Sequence, residues 1–133
     1  LVWGDFVEDE GTYRGNIGRN PSNRLQMAVF PDGEAGKPAV THFRVVQRFG
    51  YVTLVECRLE TGRTHQIRVH MTSIGHPLLG DEVYGSGKNP YHLQGQTLHA
   101  MILGFVHPST GEYMEFTAPL PEYFVKLLEK LRK

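Results

Sequence analysis

Residues 59–85 read L-E-T-G-R-T-H-Q-I-R-V-H-M-T-S-I-G-H-P-L-L-G-D-E-V-Y-G. An alternating apolar run ends at Leu59, and Thr61-Gly62 signals a turn. A short helix is expected next. Thr64 suits its N-cap, because a threonine hydroxyl accepts an orphan N–H of the first turn. Ile67, Met71 and Ile74 stand at i, i+4 and i+7 and form one apolar face. Gly75 suits the left-handed position that closes a helix, and Pro77 prevents its continuation. His65, Arg68 and Thr72 fall on a different face. The expected unit is therefore strand, tight turn and short helix, burying aliphatics on one side and turning an arginine and a histidine another way.

Working outward, two alternating runs precede this unit. Residues 39–48 set Thr41, Phe43 and Val45 against His42 and Arg44; residues 51–59 set Tyr51, Val55, Cys57 and Leu59 against Glu56 and Arg58. With Phe49-Gly50 between them, they predict an antiparallel hairpin. Residues 1–6 and 25–30 read as short strands, and 11–24 as a basic, turn-rich segment. After the helix, residues 75–96 hold five Gly and two Pro with little periodicity, and long irregular loops of this kind are often functional. Residues 97–106 read as a central strand, 107–111 as a turn and 112–118 as a further strand. Pro119-Leu120-Pro121 opens a terminal helix with Phe124, Leu127, Leu128 and Leu131 on one face. The fold class is α+β: a mostly antiparallel mixed sheet with one short motif helix and one C-terminal helix.

The chain has 133 residues, 40% hydrophobic and 21% charged, the balance of a folded domain rather than a disordered one. No apolar run approaches the roughly 20 residues of a membrane span, and no signal peptide is visible. The first residues, Leu1-Val2-Trp3, are strand-like and carry no initiator Met, as expected of a piece whose start was cut away. Cys57 is the single cysteine; it excludes an internal disulfide, reads as a small hydrophobe and is compatible with a reducing cytoplasm. Formal net charge is zero, but its distribution is uneven. Residues 1–13 carry four acids and no base, whereas residues 14–68 carry eight Arg and Lys37 against four acids. Arginine offers a planar fork for phosphates and stacks on bases, so this block suits a nucleic-acid partner.

Seven histidines invite a metal reading. His65 and His70 lie about 140° apart on a helix of 3.6 residues per turn, the wrong geometry for shared ligation. The string is H-Q-I-R-V-H rather than H-E-x-x-H. No metal site is expected, and a metal-dependent hydrolase is disfavoured.

The run 61–70, T-G-R-T-H-Q-I-R-V-H, together with G-H-P-L-L-G-D at 75–81 and Tyr84-Gly85, resembles the C-terminal motif of the RluA-type pseudouridine synthases. Weaker echoes are Ile17-Gly18-Arg19, Met27-Ala28-Val29 and Leu98-His99-Ala100. The resemblance implies an RNA-modifying isomerase, acting on large-subunit ribosomal RNA in the cytoplasm without metal, nucleotide or redox cofactor. It implies that Arg68 orients a catalytic Asp and that Leu98 walls the active site. Arg63, His65, Arg14, Arg19 and Arg24 are the candidate RNA contacts. His65 is also a candidate hydrogen-bonding strut behind Arg68, and Asp81 is assigned to turn capping. No H-R-L-D-type string and no Y-L-A-L motif occurs. The chain is therefore expected to be the C-terminal portion, residues 1–133, of a catalytic domain whose N-terminal half supplies the Asp and Tyr, and to be inactive alone. An S4-like RNA-binding domain is expected further upstream. A non-catalytic RNA-binding module is the alternative from another class.

Overall fold

The computed structural model describes residues 1–23, 25–31, 33, 35–85, 89–106 and 109–132, with backbone alone at 102–106 and 116. The order of elements is β1 (Val2–Trp3), β2 (Glu10–Arg14), β3 (Asn16–Arg19), β4 (Met27–Phe30), β5 (Val40–Arg48), β6 (Val52–Leu59), α1 (Gln66–Ser73), β7 (Ile102–Val106), β8 (Tyr113–Thr117) and α2 (Glu122–Arg132). This is an α+β arrangement. A four-stranded sheet runs β1-β6-β5-β2, and β3-β4 and β7-β8 form two-stranded sheets. Every pairing between these strands is antiparallel. The chain divides into two compact units, Leu1–Thr97 and Leu98–Lys133.

In the first unit the β5–β6 hairpin forms where alternation placed it. Gly50 takes φ +92 in its turn, and the register shifts between Val45 and Gln47. Its inward residues Phe43, Val45, Val55 and Cys57 pack on a core of Val2, Phe6, Met71 and Leu78, joined by Ile67 and Ile74 of α1. Val69, on another side of α1, packs with Ile17 and Ala39, and with Met27, Val29 and Tyr84. The helix is thus wedged between the four-stranded sheet and the β3–β4 hairpin. That explains why Gln66, Arg68 and His70 are buried along with the aliphatics.

The segment after α1 lies beside β1. Trp3 donates its N–H to the Pro77 carbonyl at 2.9 Å, Leu79 donates to Leu1 at 3.0 Å, and Thr97 donates to Leu79 at 2.9 Å. Leu78 and Leu79 are buried, so the chain reaches Asp81 along a fixed path.

Three expectations are corrected. Residues 11–24 were expected as a turn-rich segment but contain most of β2 and all of β3. Their glycines serve close packing: a Cβ on Gly11 would stand 2.7 Å from the Phe43 ring, and one on Gly18 would stand 3.0 Å from Gly36 Cα. Residues 97–106 do not form one central strand. Thr97 ends the first unit, and the strand itself is Ile102–Val106, paired only with β8 among the described residues. The cap of α1 is His65 rather than Thr64. It sits in the left-handed region at φ 55 and makes no side-chain capping bond. The side chain of Gln66 instead fixes the turn that leads into the helix, accepting the Arg63 N–H at 3.0 Å.

In the second unit α2 begins after Pro121, with Phe124, Leu127 and Leu128 buried. Glu122 in its first turn and Lys130 and Arg132 in its last match the helix dipole. No helix among the described residues is long and apolar enough to cross a membrane.

Candidate active site

Arg68 departs from the Ile67/Met71/Ile74 face and lies beneath the turn that follows Leu79. Its Nε donates to Asp81 Oδ2 at 2.9 Å and its Nη2 to Asp81 Oδ1 at 3.0 Å. The side chains are 10% and 0% exposed. Such a fork-to-carboxylate pair is both strong and directional. Asp81 Oδ1 also accepts the N–H groups of Val83 and Tyr84, each at 3.0 Å. Burial pushes the Asp81 carboxyl up, but the Arg68 bond and these N–H donors hold it below its ordinary value. Asp81 therefore does cap a turn, as its place in the motif suggested. It also fixes Arg68, a role thirteen residues away that no local pattern displays.

The Tyr84 ring completes the site. The Arg68 guanidinium lies 5.0 Å from its centroid, within cation–π range. The Tyr84 hydroxyl accepts the Met27 N–H at 2.9 Å and lies 2.8 Å from Nδ1 of His65. His65 thus bonds to Tyr84 rather than bracing Arg68 directly, which corrects the strut expectation. The Asp81–Tyr84 turn ties α1 to the β3–β4 hairpin. Arg19, opposite Met27 in that hairpin, is near enough for its charge to act on the His65 ring. The strand position of Arg19 is thereby set beside Met27, whose N–H meets the Tyr84 hydroxyl that also contacts His65.

The other expected RNA contacts are distributed differently. Arg63 is half-buried and donates through Nε to the Pro38 carbonyl at 2.9 Å. Arg14 is exposed at the end of β2. Leu98 opens the second unit and is 40% exposed. Arg24 lies outside the described residues. A depression of about 520 Å³ lies elsewhere, on the outer face of β2, β5 and β6, between Thr12, His42, Arg58 and Glu60. It holds none of the motif residues.

Two buried polar residues behind the site escaped the sequence reading. Gln66 is fully satisfied. Its Oε1 accepts from the Thr61 hydroxyl at 2.7 Å and from Arg63 N–H, while its Nε2 donates to the Val40 carbonyl at 2.9 Å and to Thr41 Oγ1 at 3.0 Å. It locks the 61–63 turn to β5. His70 donates from Nε2 to the Gly15 carbonyl at 2.9 Å, so its Nδ1 accepts from the Thr41 hydroxyl at 2.8 Å. His65 and His70 thus have separate partners. Among the described residues no cluster of three or more His, Cys, Asp or Glu suited to a metal ion occurs.

Burial lowers the His70 pKa, and protonation would turn its acceptor into a donor facing Thr41. The sign follows from the unfolded imidazole, which titrates near 6.5. Above that pH the contribution is intact. Below it the unfolded chain binds more protons, and stability falls until the folded value is passed. Unfolding free energies at pH 7.5 and 5.5, from chemical denaturation, are expected to differ by up to about 1.4 kcal/mol from this residue. His70→Gln, which keeps one donor and one acceptor, should remove that part of the difference. An unchanged pH dependence in the variant would show that His70 is not its source.

The chain belongs to the RNA pseudouridylate synthase family, whose sequence profile matches residues 4–73. Among its relatives, a Bacillus subtilis (strain 168) protein named uncharacterized RNA pseudouridine synthase YlyB is 56% identical over 133 residues, covering 100% of this chain and 43% of that one. Ribosomal large subunit pseudouridine synthase D of Pasteurella multocida is 49% identical over 128 residues, covering 87% of this chain and 39% of its own. The solved structure of human RNA pseudouridylate synthase domain containing 1 superposes with a TM-score of 0.75 at 29% identity, over 98% of this chain and 62% of that one. The chain spans less than half the length of these two sequence relatives.

Proposed function

We propose that the protein carrying this chain converts uridine to pseudouridine in RNA, in the large-subunit ribosomal RNA named for relatives such as synthase D. The observation that carries the reading is Arg68: a buried guanidinium held along its Nε–Nη2 edge by Asp81, within the family motif. Asp81 takes two of the five N–H donors of an arginine. The remaining donors suit a second carboxylate, the nucleophilic Asp expected from the part of the catalytic domain that lies outside this stretch. Arg68 would hold that carboxylate ionised and aimed.

The uridine is flipped from its strand into the pocket. The N1–C1′ bond breaks, the base turns, and C5 bonds to C1′. The C5 proton is lost and N1 gains one, so the isomerisation balances without a cofactor. Leu98, from its position in Q-T-L-H-A, is assigned to the pocket wall. Arg14, Arg19, Arg24, Arg63 and His65 are assigned to RNA, supported by their place in the basic block. The free Cys57 fits a reducing cytoplasm.

Tritium release from C5-labelled uridine in large-subunit ribosomal RNA tests the proposal. The full-length protein should release tritium stoichiometrically with pseudouridine formed. RNA binding without release would favour the non-catalytic module instead.

A further inference from the structure

The bonds of the Tyr84 hydroxyl bear on which ring nitrogen of His65 carries the proton. A backbone N–H can only donate, so Met27 takes one lone pair of the phenol oxygen. The phenol keeps its own proton to give, and Nδ1 of His65, 2.8 Å away, is an acceptor within reach. The two rings meet edge to face, with centroids 5.6 Å apart and planes at 74°. If Tyr84 donates to Nδ1, the neutral imidazole carries its proton on Nε2. His65 itself is exposed and is held at φ 55, ψ 27. Residues other than glycine are uncommon in that region, and such outliers cluster at functional sites.

The surroundings reinforce a neutral ring. Arg68, Asp81 and Arg19 are the charges that act on it. Partial desolvation of the ring against its neighbours leads in lowering its pKa, the two arginines add to that, and Asp81 opposes them.

We propose that Tyr84 is a positioning residue that fixes His65 as the neutral Nε2–H tautomer, so that His65 meets RNA as an uncharged donor to a phosphate oxygen beside the charge of Arg19. The RNA part rests on the proposed function; the tautomer does not. A neutral donor adds directionality at a site where the arginines already supply charge. It also keeps the contact constant across neutral pH, because it does not depend on protonating the ring.

The test is a long-range proton–nitrogen correlation spectrum of the full-length protein labelled with nitrogen-15 in histidine. Unmodified protein at pH 7.5 should show His65 protonated on Nε2. Tyr84→Phe, which keeps the ring against Arg68, should lose that bias and populate the Nδ1–H tautomer as well. His65→Leu should weaken RNA binding about tenfold, the value of one hydrogen bond of about 1.4 kcal/mol. His65→Gln should recover most of that, with the salt slope unchanged. Arg19→Ala should instead flatten the slope by about 0.7 on single strands. A proton on Nδ1 in the unmodified protein, or full RNA affinity in His65→Leu, would overturn the inference. The first measurement needs no variant to fold and no turnover. A wrong tautomer with normal tritium release therefore defeats this inference alone, and the right tautomer without release defeats only the proposed activity.

Discussion

Asp81→Ala is expected to destabilise the protein by roughly 3–5 kcal/mol, the cost of stranding one member of a buried ion pair. Arg68 would keep its charge at a site where its side chain is 10% exposed, and the N–H groups of Val83 and Tyr84 would lose their acceptor. Asp81→Asn should cost less, since an amide oxygen can still serve those N–H groups. Arg68→Ala should cost a comparable amount from the opposite side, leaving a buried carboxylate that escapes by taking up a proton. Stability alone does not separate a scaffold from a catalytic support, so the informative variants are two others. Arg68→Lys keeps the charge but not the planar fork; it should retain part of the stability while turnover drops further than the folded fraction explains. The pair Arg68→Met with Asp81→Leu replaces the ions with apolar side chains, a change that is often neutral for stability. That double variant should fold and bind RNA yet release no tritium. Recovery of turnover along with stability would reduce Arg68 to a structural element. A loss of under about 1 kcal/mol in Asp81→Ala, the range of a surface pair, would mean that the pair is not buried in solution.

The parts of this architecture legible in the sequence were those with local periodicity. The Ile67/Met71/Ile74 spacing gave the core face of α1, alternation across Phe49-Gly50 gave β5 and β6, and the Phe124/Leu127/Leu128 spacing gave the buried face of α2. The glycines of 11–18 misled for a physical reason. Glycine marks both a turn and a close approach, and only the partner, the Phe43 ring or Gly36, tells which. The alternation of exposed Glu10, Thr12 and Arg14 with half-buried Gly11 and Tyr13 was the available signal for β2. The site divides in the same way. Helix phase placed Arg68 apart from the aliphatic face, but nothing in the phase reveals Asp81 beneath it. Tyr84 and His70 were hidden for the opposite reason. An aromatic in a glycine-rich loop and a histidine on a helix each have an ordinary reading until Met27, Thr41 and Gly15 are set beside them by the fold.

Gly80→Ala is expected to be as damaging as loss of the ion pair, although it removes no contact. Gly80 takes φ +79, and a Cβ there would stand 2.1 Å from the Gly95 carbonyl oxygen and 3.0 Å from Leu93 Cβ. Two costs combine. The left-handed backbone penalises any residue with a Cβ by about 1–2 kcal/mol, and overpacking against backbone adds typically 1–3 kcal/mol. Gly75 separates them. It has φ +86 at the end of α1 with nothing within 4 Å of its Cβ position, so Gly75→Ala should show the backbone term alone, about 1–2 kcal/mol. Gly80→Ala should reach roughly 2–5 kcal/mol by the sum of both. The effect should also reach the site. Leu79 is held on one side of Gly80 by Leu1 and Thr97, and Asp81 follows directly on the other. Movement away from Gly95 would therefore be taken up at Asp81, whose carboxylate meets Arg68 at 2.9 and 3.0 Å. Chemical denaturation of the two variants, with tritium release measured on the folded fraction of each, provides the check. Gly75→Ala should turn over normally once corrected for folding, and Gly80→Ala should not. Equal destabilisation by both would remove the close approach of Gly95 as a determinant of this site.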